Sequence, residues 1–132
     1  MTISPSQRPS SSSQRPAVWV GHVVMMARDV PASREFLVKL GMRPLEHADG
    51  FAILELRGGT HLVLLASEEA SPGPAPFDLM VEDLDATHVH FVEQGLEPSV
   101  IQSGEIHRSF NVVDPSGHEI TFNSTHVSDQ PV

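Results

Sequence analysis

The chain repeats itself, and that constrains its fold more than any other feature. Displaced by 54 residues, Asp29-Val30 falls on Asp83-Leu84, Leu37-Val38 on Phe91-Val92, and Gly41-Met42 on Gly95-Leu96. Displaced by 58, Gly59 falls on Gly117, His61 on Glu119, Leu62 on Ile120 and Leu64 on Phe122. Any two amphipathic stretches share some letters. A strand, a helix cap and a glycine stop matched in the same order instead mark a duplicated supersecondary unit, with four extra residues in the second copy. Two copies fill a chain of 132 residues and form one domain.

Both copies read alike. Trp19 to Ala27 is rich in Val and Met and poor in turn formers, as a buried strand is, and Phe77 to Val81 is its counterpart. Asp29 offers an N-cap with Pro31 in the first turn; Phe36, Leu37 and Leu40 turn inward, and Gly41 stops the helix. In the second copy Asp83 or Asp85 caps, Leu84, Phe91 and Val92 share the inner side, and Gly95 stops the helix. Three short strands follow each helix: Arg43 to Ala48, Phe51 to Leu56 and Thr60 to Leu65, then Glu97 to Gln102, His107 to Val113 and Glu119 to Asn123. Asp49-Gly50 and Gly58-Gly59 supply hairpin turns, and Asp114-Pro115-Ser116-Gly117 fits a type I turn. The expected fold is α+β, two tandem βαβββ modules over residues 17–67 and 76–126 joined by a Pro-rich linker at 68–75.

Outside the modules, residues 1–16 carry six Ser, two Arg, no acid and no apolar run, and residues 127–132 form a second tail. The first reads as disordered, without a signal peptide's hydrophobic core, which implies a cytoplasmic protein. No apolar stretch approaches the ~18 residues of a membrane span. Eight Lys and Arg against 17 Asp and Glu give a formal charge of −9, which repels phosphate backbones and anionic lipids, so neither nucleic acid nor membrane is an expected partner. Cysteine is absent, so disulfide frameworks, thiolate metal sites and thiol nucleophiles are excluded. No Gly-rich phosphate loop or serine elbow is present.

The stretches GHVVMMARDVPASREFLVKLGM and NVVDPSGHEITF, set in this duplicated unit, resemble the vicinal oxygen chelate superfamily of glyoxalases, extradiol dioxygenases, fosfomycin-modifying enzymes and bleomycin-resistance proteins. The resemblance runs from about Val18 to His126. It implies that the modules curve into an incomplete barrel around a central cup. It further implies a homodimer, since such small members complete their sheets and cups across a two-fold axis. The family's metal is held by four residues on the first and last strands of the modules. His22 falls on the first-strand histidine, whereas the other three positions fall on Val63, Pro76 and Thr121, none a usual ligand.

Side chains two apart on a strand share a face, and His61, Asp78 and Glu119 each lie two places from one of those three positions. His22, His61 and Glu119, with Asp78 as a fourth, would suit one Fe(II), Mn(II), Zn(II) or Ni(II) ion. In that reading the ion polarises a small oxygenated molecule while Glu119 or His61 moves a proton, as a lyase, isomerase or dioxygenase would require. The competing reading is a metal-free pocket that sequesters a drug or metabolite, as in the bleomycin-resistance branch. Asp78, His107, Phe110, Thr121 and Asn123 are the expected ligand-binding residues. His107, Ser109 and Asn111 alternate with Phe110, and one of the two faces lines the cup. A structural module with an unused cup ranks last, because its polar lining would be costly to keep buried without a partner.

Overall fold

A computed structural model describes residues 14–132; residues 1–13, most of the expected disordered tail, lie outside the described residues. The first module comprises β1 (His22–Ala27), α1 (Val30–Lys39), β2 (Arg43–Ala48), β3 (Phe51–Glu55) and β4 (His61–Ala66). The second comprises β5 (Gly73–Val81), α2 (Leu84–Glu93), β6 (Gln102–Ser103), β7 (Arg108–Val113) and β8 (His118–Ser124). The strands form two four-stranded sheets in the orders β1-β4-β3-β2 and β5-β8-β7-β6. In each sheet the first strand pairs parallel with the last and the other pairs are antiparallel. β1 and β5 lie beside one another. Neither sheet closes, so the result is the expected α+β pair of βαβββ modules in an incomplete barrel. Among the described residues no helix is long and apolar enough to cross a membrane.

The repeat extends to hydrogen bonds. Asp29 caps α1 by accepting from the Ala32 amide at 3.0 Å, and Asp83 caps α2 by accepting from Ala86 at 2.9 Å. Both helices end in a Schellman motif. The amides of Gly41 and Met42 donate to Val38 and Leu37, and those of Gly95 and Leu96 to Val92 and Phe91. The motif needs a left-handed residue, which glycine supplies at φ 112° and 81°.

Strand alternation gives each sheet a covered and an open face. Met25, Ala27, Ala52, Leu54, Leu62 and Leu64 are buried, in contact with α1's Leu37 or with one another in a single core. In the second module Phe91 of α2 meets Phe110 and Phe122 edge-on, with ring centroids 5.8 and 5.1 Å away. The two sheet phenylalanines stack at 5.5 Å. Arg108 of β7 grips Asp85 of α2 through two bonds of 2.8 and 2.9 Å, and this guanidinium holds the Asp85 carboxyl below the usual carboxylate range. The pair is exposed and adds little stability.

Four local expectations are corrected. β1 begins at His22 rather than Trp19, which is 69% exposed, because its partner β4 begins at His61 and the preceding 3-10 turn at Arg57–Gly59 offers Trp19 no strand to pair with. Glu97 to Gln102 yields only the two-residue β6, because the Ser99 hydroxyl rather than a carbonyl accepts the Asn111 amide at 2.8 Å. β5 starts inside the expected linker, at Gly73; it is an outer strand, where proline's missing N–H is tolerated. Val92 is 55% exposed, because Leu84 and Phe91, seven residues apart, already mark the buried stripe and the next residue turns about 100° away from it.

The modules are joined through the DPSG turn. Asp114 is 3% exposed, and its carboxylate accepts from the Ser33 hydroxyl of α1 at 2.8 Å and from the amides of Ser116 and His118 at 3.0 and 2.8 Å. The Ser116 hydroxyl accepts from the Arg28 amide at 3.0 Å, and His118 Nε2 reaches the Met26 carbonyl at 2.9 Å. Replacing Ser33 with Ala removes a buried donor from a carboxylate and should cost about 1–3 kcal/mol in urea unfolding. Asp114→Ala, which orphans three donors, should cost more. Unchanged unfolding midpoints in both variants would show that the turn does not join the modules energetically.

Candidate functional site

Sheet register places the polar groups of the first module in one transverse row on the open face. His22 is paired with His61, His61 with Glu55 and Glu55 with Arg43, one residue from each strand. The imidazoles of His22 and His61 meet edge-on, centroids 5.7 Å apart. His61 Nε2 lies 3.4 Å from Glu55 Oε2, and Arg43 donates to Glu55 Oε1 at 2.9 Å. Beyond this row the same face carries Val24, Val63 and Ile53, then Met26, Leu65 and Phe51. Val24 and Met26 are 43% exposed.

The second module places its acceptors elsewhere. A cleft of about 650 Å³ opens between the modules, with Asp78, Glu119 and Thr121 around an apolar lining that includes Val23, Leu56, Phe77 and Leu79. Asp78 pairs with Thr121 and Thr121 with Asn111, and the threonine hydroxyl donates to Asn111 Oδ1 at 2.8 Å. In the neighbouring row Asn123 is 4% exposed, and its Oδ1 has no hydrogen-bond partner among the described residues. Arg57, also in the lining, is ion-paired to Glu82 at 2.9 Å.

Among the described residues, those singled out from the sequence gather no cluster of three ligands. His22 and His61 stand together, while Glu119 stands with Asp78 and Thr121 in the cleft, whose lining includes neither histidine. Phe110 is 1% exposed on the covered face, so the alternating set Ser109 and Asn111 is the one on the open side. His107 stacks on His126 at 5.4 Å, with its Nδ1 buried and without a partner among the described residues. Sequence reading missed Glu55 and Arg43; only register shows that they complete the histidine row. A carboxylate on β3 two residues before a 3-10 turn carries no motif.

Residues 19–122 match the family model of the Glyoxalase/Bleomycin resistance protein/Dioxygenase superfamily. The chain belongs to this superfamily. Among solved structures it is similar to TnmS3, an antibiotic binding protein from a Streptomyces species, at 21% identity over 81% of this chain and 95% of that one, with a TM-score of 0.69. It is similar to the bleomycin-binding protein of Streptomyces verticillus, complexed with copper(II)-bleomycin, at 24% identity over 82% and 97%, TM-score 0.65. It is similar also to a lactoylglutathione lyase from Agrobacterium tumefaciens at 17% identity over 80% and 92%, TM-score 0.66. These likenesses show a shared fold. No curated protein matches the sequence.

The superfamily's metal centre does not fit these side chains. Val63 is aliphatic, Pro76 has no donor atom in its side chain, and the Thr121 hydroxyl is engaged with Asn111. Among the described residues no three His, Asp or Glu side chains are gathered so as to hold an ion. What the histidine row does supply is orientation. With Glu55 anchored by Arg43, neutral His61 should carry its proton on Nε2, facing the carboxylate, and leave the Nδ1 lone pair open. Nitrogen-15 NMR of the imidazole should show this tautomer in the native chain and lose the bias in Glu55→Gln. A predominant Nδ1–H form in the native protein would contradict the assignment.

Proposed function

We propose that the chain is a metal-independent binding protein for a small organic molecule bearing cationic or hydrogen-donating groups, held in the cleft between the modules. The observation that carries this reading is the pair of carboxylates on Asp78 and Glu119, neither ion-paired among the described residues, beside the apolar surface of Val23, Leu56, Phe77 and Leu79. A guest entering the cleft strips water from both carboxylates, and donors on the guest offset that cost while its apolar body covers the lining. Thr121 adds a hydroxyl oxygen to the same lining. A cleft of about 650 Å³ suits a drug-sized molecule. Likeness in fold to an antibiotic binding protein and a bleomycin-binding protein supports an antibiotic or a metabolite of that size. The metal-assisted reaction needs at least three ligands gathered at one centre, and the lack of such a cluster among the described residues weighs against it.

An amine-bearing aromatic probe such as tryptamine should bind the full chain equally with and without EDTA. Asp78→Asn with Glu119→Gln should weaken that binding by roughly 10-fold or more, the loss expected from removing charge-assisted bonds. Binding that vanishes with EDTA, or that ignores the double substitution, would refute the reading.

The working unit in this proposal is a homodimer in which a second copy covers the open apolar face of the first module's sheet. Val24, Met26 and Leu65 expose 43%, 43% and 37% of their surface there, and burying such a patch drives association. Light scattering at micromolar concentration should give twice the 14.4 kDa chain mass, and Met26→Glu should shift it to one. A single-chain mass for the native protein would refute the dimer.

A further inference from the structure

At the edge of the first sheet farthest from the cleft, α1 and β2 splay apart and leave a groove of about 470 Å³. Val30, Pro31 and Val38 form one wall, Pro44 and Ala48 the other, and Arg34 and His47 bring nitrogen donors to it from opposite sides. β2 departs from regular pairing between Pro44 and His47, so the edge strand bends where it borders the groove.

Arg34 is the anomaly. Arg43, Arg57 and Arg108 are each paired with a carboxylate, and the Arg28 guanidinium donates to the Ala70 carbonyl. Among the described residues the Arg34 Nε, which is buried, has no acceptor and the side chain makes no ion pair, in a chain of net charge −9. Glu35 also borders the groove, but consecutive helix positions diverge by about 100°, and the two side chains are not paired. With the Nε closed off, Arg34 borders the groove through the rest of its guanidinium, and a planar carboxylate is the group that matches that fork.

We infer that this groove is a second binding site, specific for a monocarboxylate with an apolar tail. The head is held by Arg34, with His47 as the further donor, while the tail lies along Val30, Val38, Pro44 and Ala48. Glu35, elsewhere on the groove's border, repels a doubly charged phosphate more than a single carboxylate, which separates the site from a general anion site. The inference stands apart from the cleft, since the two places share no lining residue.

Titration of octanoate into the full chain, followed by amide NMR, should give saturable shifts centred on Val30, Arg34, Val38 and Ala48. Octanol, which keeps the tail without the charge, should bind at least about 10-fold more weakly, and inorganic phosphate should not compete. Arg34→Gln should lose octanoate by a similar factor. Arg34→Lys, which keeps the charge without the fork, should recover only part of it. The Asp78→Asn, Glu119→Gln protein should bind octanoate as the native chain does, so that failure here is distinguishable from failure of the cleft reading. Equal binding of octanol, competition by phosphate, indifference to Arg34→Gln, or shifts centred elsewhere would each overturn the proposal.

Discussion

The arrangement of the two modules is fixed most directionally by the buried carboxylate of Asp114. Each module has a sheet and one short helix, too little to bury its own apolar surface alone, so the halves must be held in a fixed relation. Asp114 does this from a tight turn. Its own backbone amides orient the carboxylate, which then takes the Ser33 hydroxyl from the other module's helix. A buried carboxylate with three donors is strongly directional, unlike the apolar contacts around it, and so sets the angle between the halves. The cleft, which draws lining from both modules, inherits its shape from that angle.

Given that relation, strand alternation does most of the rest. One face of each sheet is buried beneath its own helix, which leaves the opposite faces and the junction between sheets for recognition. Stability and binding are thereby assigned to alternate residues of the same strands. Val63, Pro76 and Thr121 lie on the open faces, so substitution there leaves the covered core untouched.

The repeat was legible from sequence because caps and stops are local. Asp29 and Asp83, Gly41 and Gly95 act within one helical turn, and both pairs form the same bonds in the structure. Strand ends were less legible, because they depend on a partner distant in the chain. Trp19 looks like strand until one asks what would lie beside it, and Ser99 ends a ladder with a hydroxyl that no periodicity reveals. The histidine row was half legible. His22 and His61 both stood out as site candidates, but Glu55 and Arg43 joined them only through registers that link three separate strand pairs.

The same registers explain why polar residues in equivalent strands do not converge on one centre. Carried across the repeat, the row His22, His61, Glu55 becomes Pro76, Glu119, Val113, and the row Val24, Val63, Ile53 becomes Asp78, Thr121, Asn111. Polar and apolar rows have changed places between the modules. The irregular pairing of β5 between Pro74 and Asp78 falls across Pro76, so the second module's version of the histidine row keeps one ionisable group, Glu119. Its main polar row sits one step, about 6.6 Å, farther along the strands. Four ligands around one ion need polar rows at matching levels in both halves. Rows offset by a step instead make an extended surface, with the imidazoles and Glu119 at one level and Asp78, Thr121 and Asn111 at another, which suits the spaced functional groups of the organic guest proposed above.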